Sequence, residues 1–523
     1  MPRKKQKPSL SPEEVKNIIS TDESDNLEEL TTSHEESDTA EIKKRSIAGV
    51  LSYMGRSVAV YGIVLVANFL LAAFLSPDDF GIYYLVTAVL SLFTFLSDIG
   101  LASALIQKKE EPTKEDLRTT FTVQQILAIL IFVVVVALTP YWTTVQNLSG
   151  EALWLLYIVA ASFFVITFKT IPSVLLSRQL RFDLLAIPSI VENMIFYGIV
   201  TLMAWRGFGV QSFIWGILAR DVAGIAVMYS LQRWPFGIGI WRKSLKELMS
   251  FGFRFQLNDL LARVKDDLIT IVVVGAWLDP AALGYIGWAK RNTNMPQQFT
   301  VNNITAITFP TFARLQHDKN LLRKAIEKTI FFISLVNFPL LAGMALFFYP
   351  LVTLIPEYNK WQPALIALAL FAVNIAWGSV STPLTNTLNA IGHVNKTLIL
   401  MVMWTVLTWI LTPLGIYYFG YTGVALASAL IGFSSVVTVW MVQQVVPFSF
   451  FGNMWRQLLA TTIMTAFGWI TMPLWMQSLA HMAVGIVITG SVFAIVFLLI
   501  GWKRLKKEME SLGLWPLKLR LSR

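Results

Sequence analysis

The residues of this sequence most able to do chemistry are charges set inside long apolar stretches. Arg254, Asp259, Arg263, Lys265, Asp266 and Asp267 fall within one such stretch. Lys290 and Arg291 fall in the next, about two turns past Gly284. Arg56, Asp98, Lys169, Glu192 and the adjacent Arg220-Asp221 occupy others. A charge in mid-bilayer costs about 2.5–3.5 kcal/mol on insertion scales, so such residues are expected to face a bundle interior or a wet cavity. The cations Arg56, Arg254, Arg263, Lys290 and Arg291 suit an anionic substrate. Arg matches a diphosphate with bidentate geometry, and Lys acts as a point charge. The carboxylates Asp98, Asp259, Asp266 and Asp267 have two readings. They are ion-pair partners, as the i,i+4 spacing of Asp259 and Arg263 permits, or they carry a coupling proton or sodium ion. Bland readings stand beside these. Arg56 is close enough to a span end to snorkel, and Asp98 can cap a kink at Gly100. Arg220 and Asp221, being adjacent, do not share a helix face, and each is expected to need its own partner.

Other chemistries find little support. The chain has no cysteine and four histidines, His34, His317, His393 and His481, none in a metal-binding or catalytic motif. No phosphate-binding lysine loop and no nucleophile elbow is present. The expectation is a non-enzyme with no metal, no cofactor and no nucleic-acid partner.

The elements that must position these charges are membrane helices. The chain has 523 residues, 55% hydrophobic and 14% charged, with a mean hydropathy of +0.60. A soluble protein would carry roughly 25% charged residues. The apolar residues fall in blocks long enough to cross a hydrocarbon core of about 30 Å as helices, without the strict alternation of a β-barrel. About fourteen spans are expected, the first centred near Ile63 and the last near Ile488. Residues 1–46 carry 8 basic and 11 acidic residues, net −3, and few large apolar ones. They read as a disordered acidic tail rather than a signal peptide. The remainder carries net +13, which in a membrane protein points to cytoplasmic loops.

One motif occurs twice. Leu75-Ser-Pro-Asp-Asp-Phe-Gly81 and Leu278-Asp-Pro-Ala-Ala-Leu-Gly284 both read L-x-P-x-x-apolar-G and join consecutive apolar segments. Basic clusters at alternate connections place both hairpins on the outer side and both termini in the cytoplasm. The hairpins follow spans one and seven. The repeats are then parallel, six spans each, a geometry of alternating-access carriers. The expected organisation is an N-lobe over 47–235 (spans 1–6), a C-lobe over 236–446 (spans 7–12), two further helices over 447–502, and a basic cytoplasmic tail over 503–523.

The run Phe74–Tyr84, continuing through Phe95–Gln107, resembles the opening of bacterial polysaccharide flippases. These form the polysaccharide-transport branch of the multidrug/oligosaccharidyl-lipid/polysaccharide (MOP) exporter superfamily, which includes the MATE exporters. Asp267–Val272, Leu283-Gly-Tyr285, Phe309–Gln316, Trp361 and Leu388–His393 follow in that family's order, over roughly residues 47–450. The resemblance implies a carrier that moves undecaprenyl-diphosphate-linked oligosaccharide across the cytoplasmic membrane by alternating access, through a cavity lined by basic residues. It fixes no individual substrate contact. The implied partners are the lipid-linked oligosaccharide, membrane lipids, a coupling proton or sodium ion, and polysaccharide polymerase or export proteins. A lipid II flippase or a cation-coupled drug exporter of the same superfamily is the alternative, although an exporter of organic cations would more naturally show isolated carboxylates. A membrane glycosyltransferase would need a sizeable loop bearing its site, and no such loop is evident.

Overall fold

The computed structural model describes residues 60–511, apart from residues 99, 109, 149 and 256. Arg56 and the 1–46 tail lie outside the described residues, as do the side chains of Asp98, Arg254 and Asp259.

Among the described residues there are helices and no strands. The first half runs α1 (Val60–Phe74), α2 (Pro77–Asp98), α3 (Lys114–Ala137), α4 (Glu151–Arg178), α5 (Phe182–Trp205) and α6 (Gln211–Leu231). The second half opens with α7, which is Leu257–Arg263 continued by two π-helical stretches, Val264–Leu268 and Thr270–Val274, and a last turn, Gly275–Trp277. It goes on through α8 (Pro280–Leu315), α9 (Lys319–Leu354) and α10 (Ala364–Ala390). Then come α11 (Val394–Phe419) and α12 (Tyr421–Gln443), followed by α13 (Phe450–Ile470) and α14 (Leu479–Ser511).

Among the described residues, nine helices are long and apolar enough to cross a membrane by length and composition: α3–α6, α9–α12 and α14. The chain is a multi-pass membrane protein. α8 falls short of that criterion because Lys290, Arg291, Asn292, Asn294, Gln297 and Gln298 lie within it, and α7 because π-helical turns break it into short pieces. The α14 helix continues through Lys503-Arg504 to Ser511 without a break.

Neighbour relations recur between the halves. In the first, α3 packs on α4, α4 on α6, and α5 on α6. In the second, α9 packs on α10, α10 on α12, and α11 on α12. Helices α13 and α14 pack on each other and on α9. The outward faces are apolar, as at Leu499, Ile470 and Val487. Lipid is no less apolar than these side chains, so close backbone approach does the packing. At the α11–α12 crossing a Cβ on Gly423 would lie 1.9 Å from the carbonyl oxygen of Gly415.

The repeated hairpins explain themselves locally. The residue before each Pro is an N-cap, and Pro takes the first helical position, where its missing N–H costs nothing. The Ser76 backbone N–H donates to Asp79 and the Asp79 N–H donates to the Ser76 hydroxyl, at 3.0 and 3.1 Å. Asp279 accepts from the Ala282 N–H at 2.7 Å. The two halves meet at these turns. A Cβ on Gly81 would lie 1.7 Å from the carbonyl oxygen of Pro280, and one on Gly284 would lie 1.9 Å from that of Pro77. Each glycine lies against the proline of the other copy, so only glycine lets α2 and α8 cross this closely. The turns are therefore a reciprocal backbone contact between the halves, which the sequence reading, placing each between consecutive spans of its own lobe, did not anticipate.

Candidate functional site

Below that crossing, α1, α2, α5, α7, α8, α10, α11 and α12 enclose a cavity of about 950 Å³. Of the charges singled out in the sequence, Lys265, Asp266, Asp267, Lys290 and Arg291 line it.

Lys290 and Arg291 reach it from α8, one turn past Gly287, which itself abuts Tyr84. The Lys290 Nζ donates to the Tyr84 hydroxyl at 3.2 Å and lies 5.7 Å from the centre of the Phe371 ring. The Arg291 guanidinium donates to the Tyr197 hydroxyl at 2.8 Å and sits over that ring. Among the described residues neither cation has a carboxylate within ion-pair distance; tyrosines and ring faces hold them instead. A neutral hydroxyl is a weaker partner than a phosphate oxygen, which makes a charge-assisted bond. The arrangement can exchange tyrosine for an incoming anion at little cost.

Across the cavity, α7 carries the mixed-charge cluster. Arg263 pairs with Asp267 at 3.3 Å and also donates to the Ser91 hydroxyl of α2. The expected i,i+4 partner was Asp259, whose side chain lies outside the described residues. Lys265 pairs with its neighbour Asp266 at 2.8 Å, and Asp266 is 56% exposed, to the cavity. The π-helical turns cause this crowding. A π bulge leaves a backbone carbonyl without its regular donor, and such bulges concentrate at functional sites. Here neighbours supply the donors: the Trp409 indole N–H to the Val264 carbonyl at 3.1 Å, and Gln146 and the Tyr141 hydroxyl to that of Ile271.

Two further pairs of the predicted charges lie away from the cavity. Lys169 and Glu192 form a 2.8 Å ion pair between α4 and α5. Arg220 pairs with Asp221 at 2.9 Å, contrary to the expectation that adjacent residues need separate partners. The guanidinium arm is long enough to reach the carboxylate next to it in the chain. Neither pair lines the cavity.

Sequence reasoning missed the neutral polar lining. Asn68, Asn294, Gln297, Gln298, Asn374 and Ser428 all face the cavity. The Asn68 Oδ1 is buried without a hydrogen-bond partner. Amides of this kind can bind sugar hydroxyls. The amide-rich run from Asn292 to Gln298 was visible in the sequence, but attention to charge passed over it.

The end toward the hairpins is sealed. The turn Pro356–Trp361 places three side chains on the last turns of α1. Lys360 Nζ donates to the Ala73 carbonyl at 2.7 Å, the Trp361 indole N–H to that of Ala72 at 2.8 Å, and the Tyr358 hydroxyl to that of Phe69. A helix C-terminus has unpaired carbonyls and favours a cation. Trp361 is fully buried, stacked on Trp288 with centroids 5.1 Å apart.

A family of proteins described as "Polysaccharide biosynthesis protein" matches residues 70–365, more than half of the chain. The chain belongs to this polysaccharide biosynthesis family. One relative is the "Succinoglycan biosynthesis transport protein ExoT" of Rhizobium meliloti, 23% identical over 60% of this chain and 63% of its own length. Matches to the first three curated relatives span 57–66% of their length, less than two thirds of each. Among solved structures, this family member resembles "Lipid II flippase MurJ, inward closed conformation", with a TM-score of 0.66, 14% identity, and cover of 88% of this chain and 100% of that one. It also resembles an inward-facing MATE transporter of the MOP superfamily, with a TM-score of 0.58, 15% identity, and cover of 74% and 94%. At these identities the likeness shows the fold: all-α and MOP-like, as the sequence reading expected.

Proposed function

We propose that this protein is a flippase that carries undecaprenyl-diphosphate-linked oligosaccharide across the cytoplasmic membrane, for capsule, exopolysaccharide or O-antigen synthesis. The observation that carries the reading is the cation pair Lys290–Arg291, held in a large cavity by tyrosines and not by carboxylates. The pair meets a diphosphate, and the amide-rich wall meets sugar hydroxyls. The relative ExoT, named a biosynthesis transport protein, supports the same class. Transport proceeds by alternating access between two six-helix lobes of a fourteen-span bundle with both termini cytoplasmic, and the sealed hairpin end is its outer gate.

Arg263 belongs to the anion path through Ser91 and Asp267. Arg56, Arg254, Asp98 and Asp259 are proposed to extend the same polar wall. Asp266 and Asp267 are the candidates for a coupling proton or sodium ion. Polymerase or export proteins are the proposed partners that receive the product. A lipid II flippase is the second reading, favoured by the MurJ-like fold.

Purified protein in vesicles containing a fluorescent lipid-diphosphate oligosaccharide tests the function. The variant Lys290→Ala/Arg291→Ala is expected to lower translocation at least about tenfold, equivalent to about 1.4 kcal/mol, with unchanged expression. Normal transport by that variant would overturn the cationic-cavity mechanism. Repeating the assay under an imposed proton or sodium gradient tests coupling, which predicts a rate that follows the gradient.

A further inference from the structure

Beside the charged cavity lies a second hollow of about 830 Å³ with a different character. It runs along the membrane-facing side between α1 and α5. Its walls are apolar side chains, including Val66, Leu70, Met194 and Trp205, all well exposed. Two glycines open it. Gly62 on α1 and Gly198 on α5 both line the groove, and a Cβ at either would meet nothing within 4 Å. From Gly62 to Phe74 the α1 wall rises about 18 Å at 1.5 Å per residue, close to one leaflet of a core about 30 Å thick.

One residue joins the two hollows. Tyr197 lines both the groove and the charged cavity, and its hydroxyl is the one held by Arg291 at 2.8 Å. An anion seated on Arg291 is therefore a single side chain away from an apolar channel one leaflet long. We propose that the α1–α5 groove is the binding site for the isoprenoid chain of the transported lipid, which leaves the cavity beside Tyr197 while the diphosphate stays on Lys290 and Arg291.

The inference rests on the flippase reading above and deepens it. Two physical points carry it. A long apolar chain cannot remain among the ions and amides of a wet cavity, so a lipid whose head group enters must leave its chain through the wall. Bulk lipid solvates an apolar groove about as well as an isoprenoid does, so apolarity alone selects nothing. Selection comes from the tether, because a head group fixed at Arg291 holds its own chain at the groove mouth at high effective concentration. An anion that takes over Arg291 also frees the Tyr197 hydroxyl, so occupation of the cavity loosens the side chain between the two hollows.

The test separates chain from head group. Full-length protein in vesicles is given the same oligosaccharide diphosphate on an undecaprenyl chain and on a farnesyl chain. Gly62→Leu/Gly198→Leu fills the groove without touching the cavity, and Gly198→Ala serves as a mild second variant in case the double variant folds poorly. Filling the groove is expected to lower transport of the long-chain substrate at least about tenfold and that of the short-chain substrate less than about twofold, with Gly198→Ala intermediate. An equal fall for both chains, or no fall for either, overturns the groove as a chain site and leaves bulk lipid as its occupant. Wild-type protein that moves neither substrate overturns the flippase reading, and the groove assignment with it.

Discussion

Lys290 and Arg291 show how a charge is kept ready inside a membrane protein. Burial without any partner would be costly, whereas a fixed carboxylate would compete with the substrate. Tyrosine hydroxyls and ring faces hold the cations between these limits. Tyr197→Phe removes the acceptor and keeps the ring. It should leave binding of a non-hydrolysable lipid diphosphate unchanged or strengthen it by less than about fivefold, whereas Arg291→Ala should weaken it at least about tenfold, both read by equilibrium binding in detergent. The Lys169–Glu192 pair behaves in the opposite way, because both groups are mostly buried and complementary. Removing one partner leaves an unpaired buried group, at about 1–3 kcal/mol. Lys169→Met should therefore lower the Tm more than the double variant Lys169→Met/Glu192→Gln, a pattern expected of a structural pair. The charges of both sets were legible in the sequence. Which set faces the cavity was not, since that depends on the rotation of each helix.

At the scale of elements, the L-x-P-x-x-apolar-G hairpins read correctly as N-cap and Pro turns joining consecutive helices. Their mutual contact was beyond the sequence, because the copies lie some two hundred positions apart and meet only through the crossing of α2 and α8. A methyl group at Gly81 or Gly284 collides with backbone that cannot rotate away. Overpacking of this kind costs about 1–3 kcal/mol, and the whole penalty falls on the sealed arrangement. Gly81→Ala and Gly284→Ala should each shift the protein toward an arrangement open at the hairpin end. The chain has no cysteine, so a single Asn294→Cys in the cavity wall reports this cleanly. Its labelling by an impermeant maleimide added on the hairpin side should rise several-fold in either glycine variant. Unchanged labelling would show that the crossing is not a gate. The π-helical breaks of α7 were likewise unreadable, since Val264–Val274 has no proline or glycine to mark a break. The freed carbonyls are satisfied from elsewhere in the chain, by Trp409 on α11 and by Tyr141 and Gln146 in the connection between α3 and α4.

At the scale of the molecule, the seal is a distributed latch of hairpin crossing, Trp361–Trp288 stack and the three donors of Pro356–Trp361. Lys360 makes the latch sensitive to pH. Burial holds its amine below the ordinary lysine range, against the opposing pull of Asp79 and Glu357. In an opened, hydrated arrangement its affinity for a proton is higher, so protonation favours opening and a rise in pH toward the ordinary lysine value favours the seal. Hairpin-side labelling of Asn294→Cys, measured relative to the same thiol in the Lys360→Arg background, should accordingly fall as pH rises toward the ordinary lysine value. In Lys360→Arg the charge is permanent over that rise, so the pH dependence of the latch should be lost.

The sequence by itself determined the class of molecule. Apolar blocks of span length and basic clusters at alternate loops leave a helical multi-pass membrane protein as the economical solution, because backbone in lipid must satisfy itself within helices. It also offered its intramembrane charges, Arg263, Asp266, Asp267, Lys290 and Arg291 among them, as candidates for a bundle interior or a wet cavity, since charges in lipid are costly. Only the tertiary structure decided what each charge faces, that the hairpins lock against each other, and that one tyrosine stands between a charged cavity and an apolar groove. Those facts depend on contacts between residues far apart in the chain. Periodicity and composition describe each helix alone, and neither records which face turns toward which neighbour.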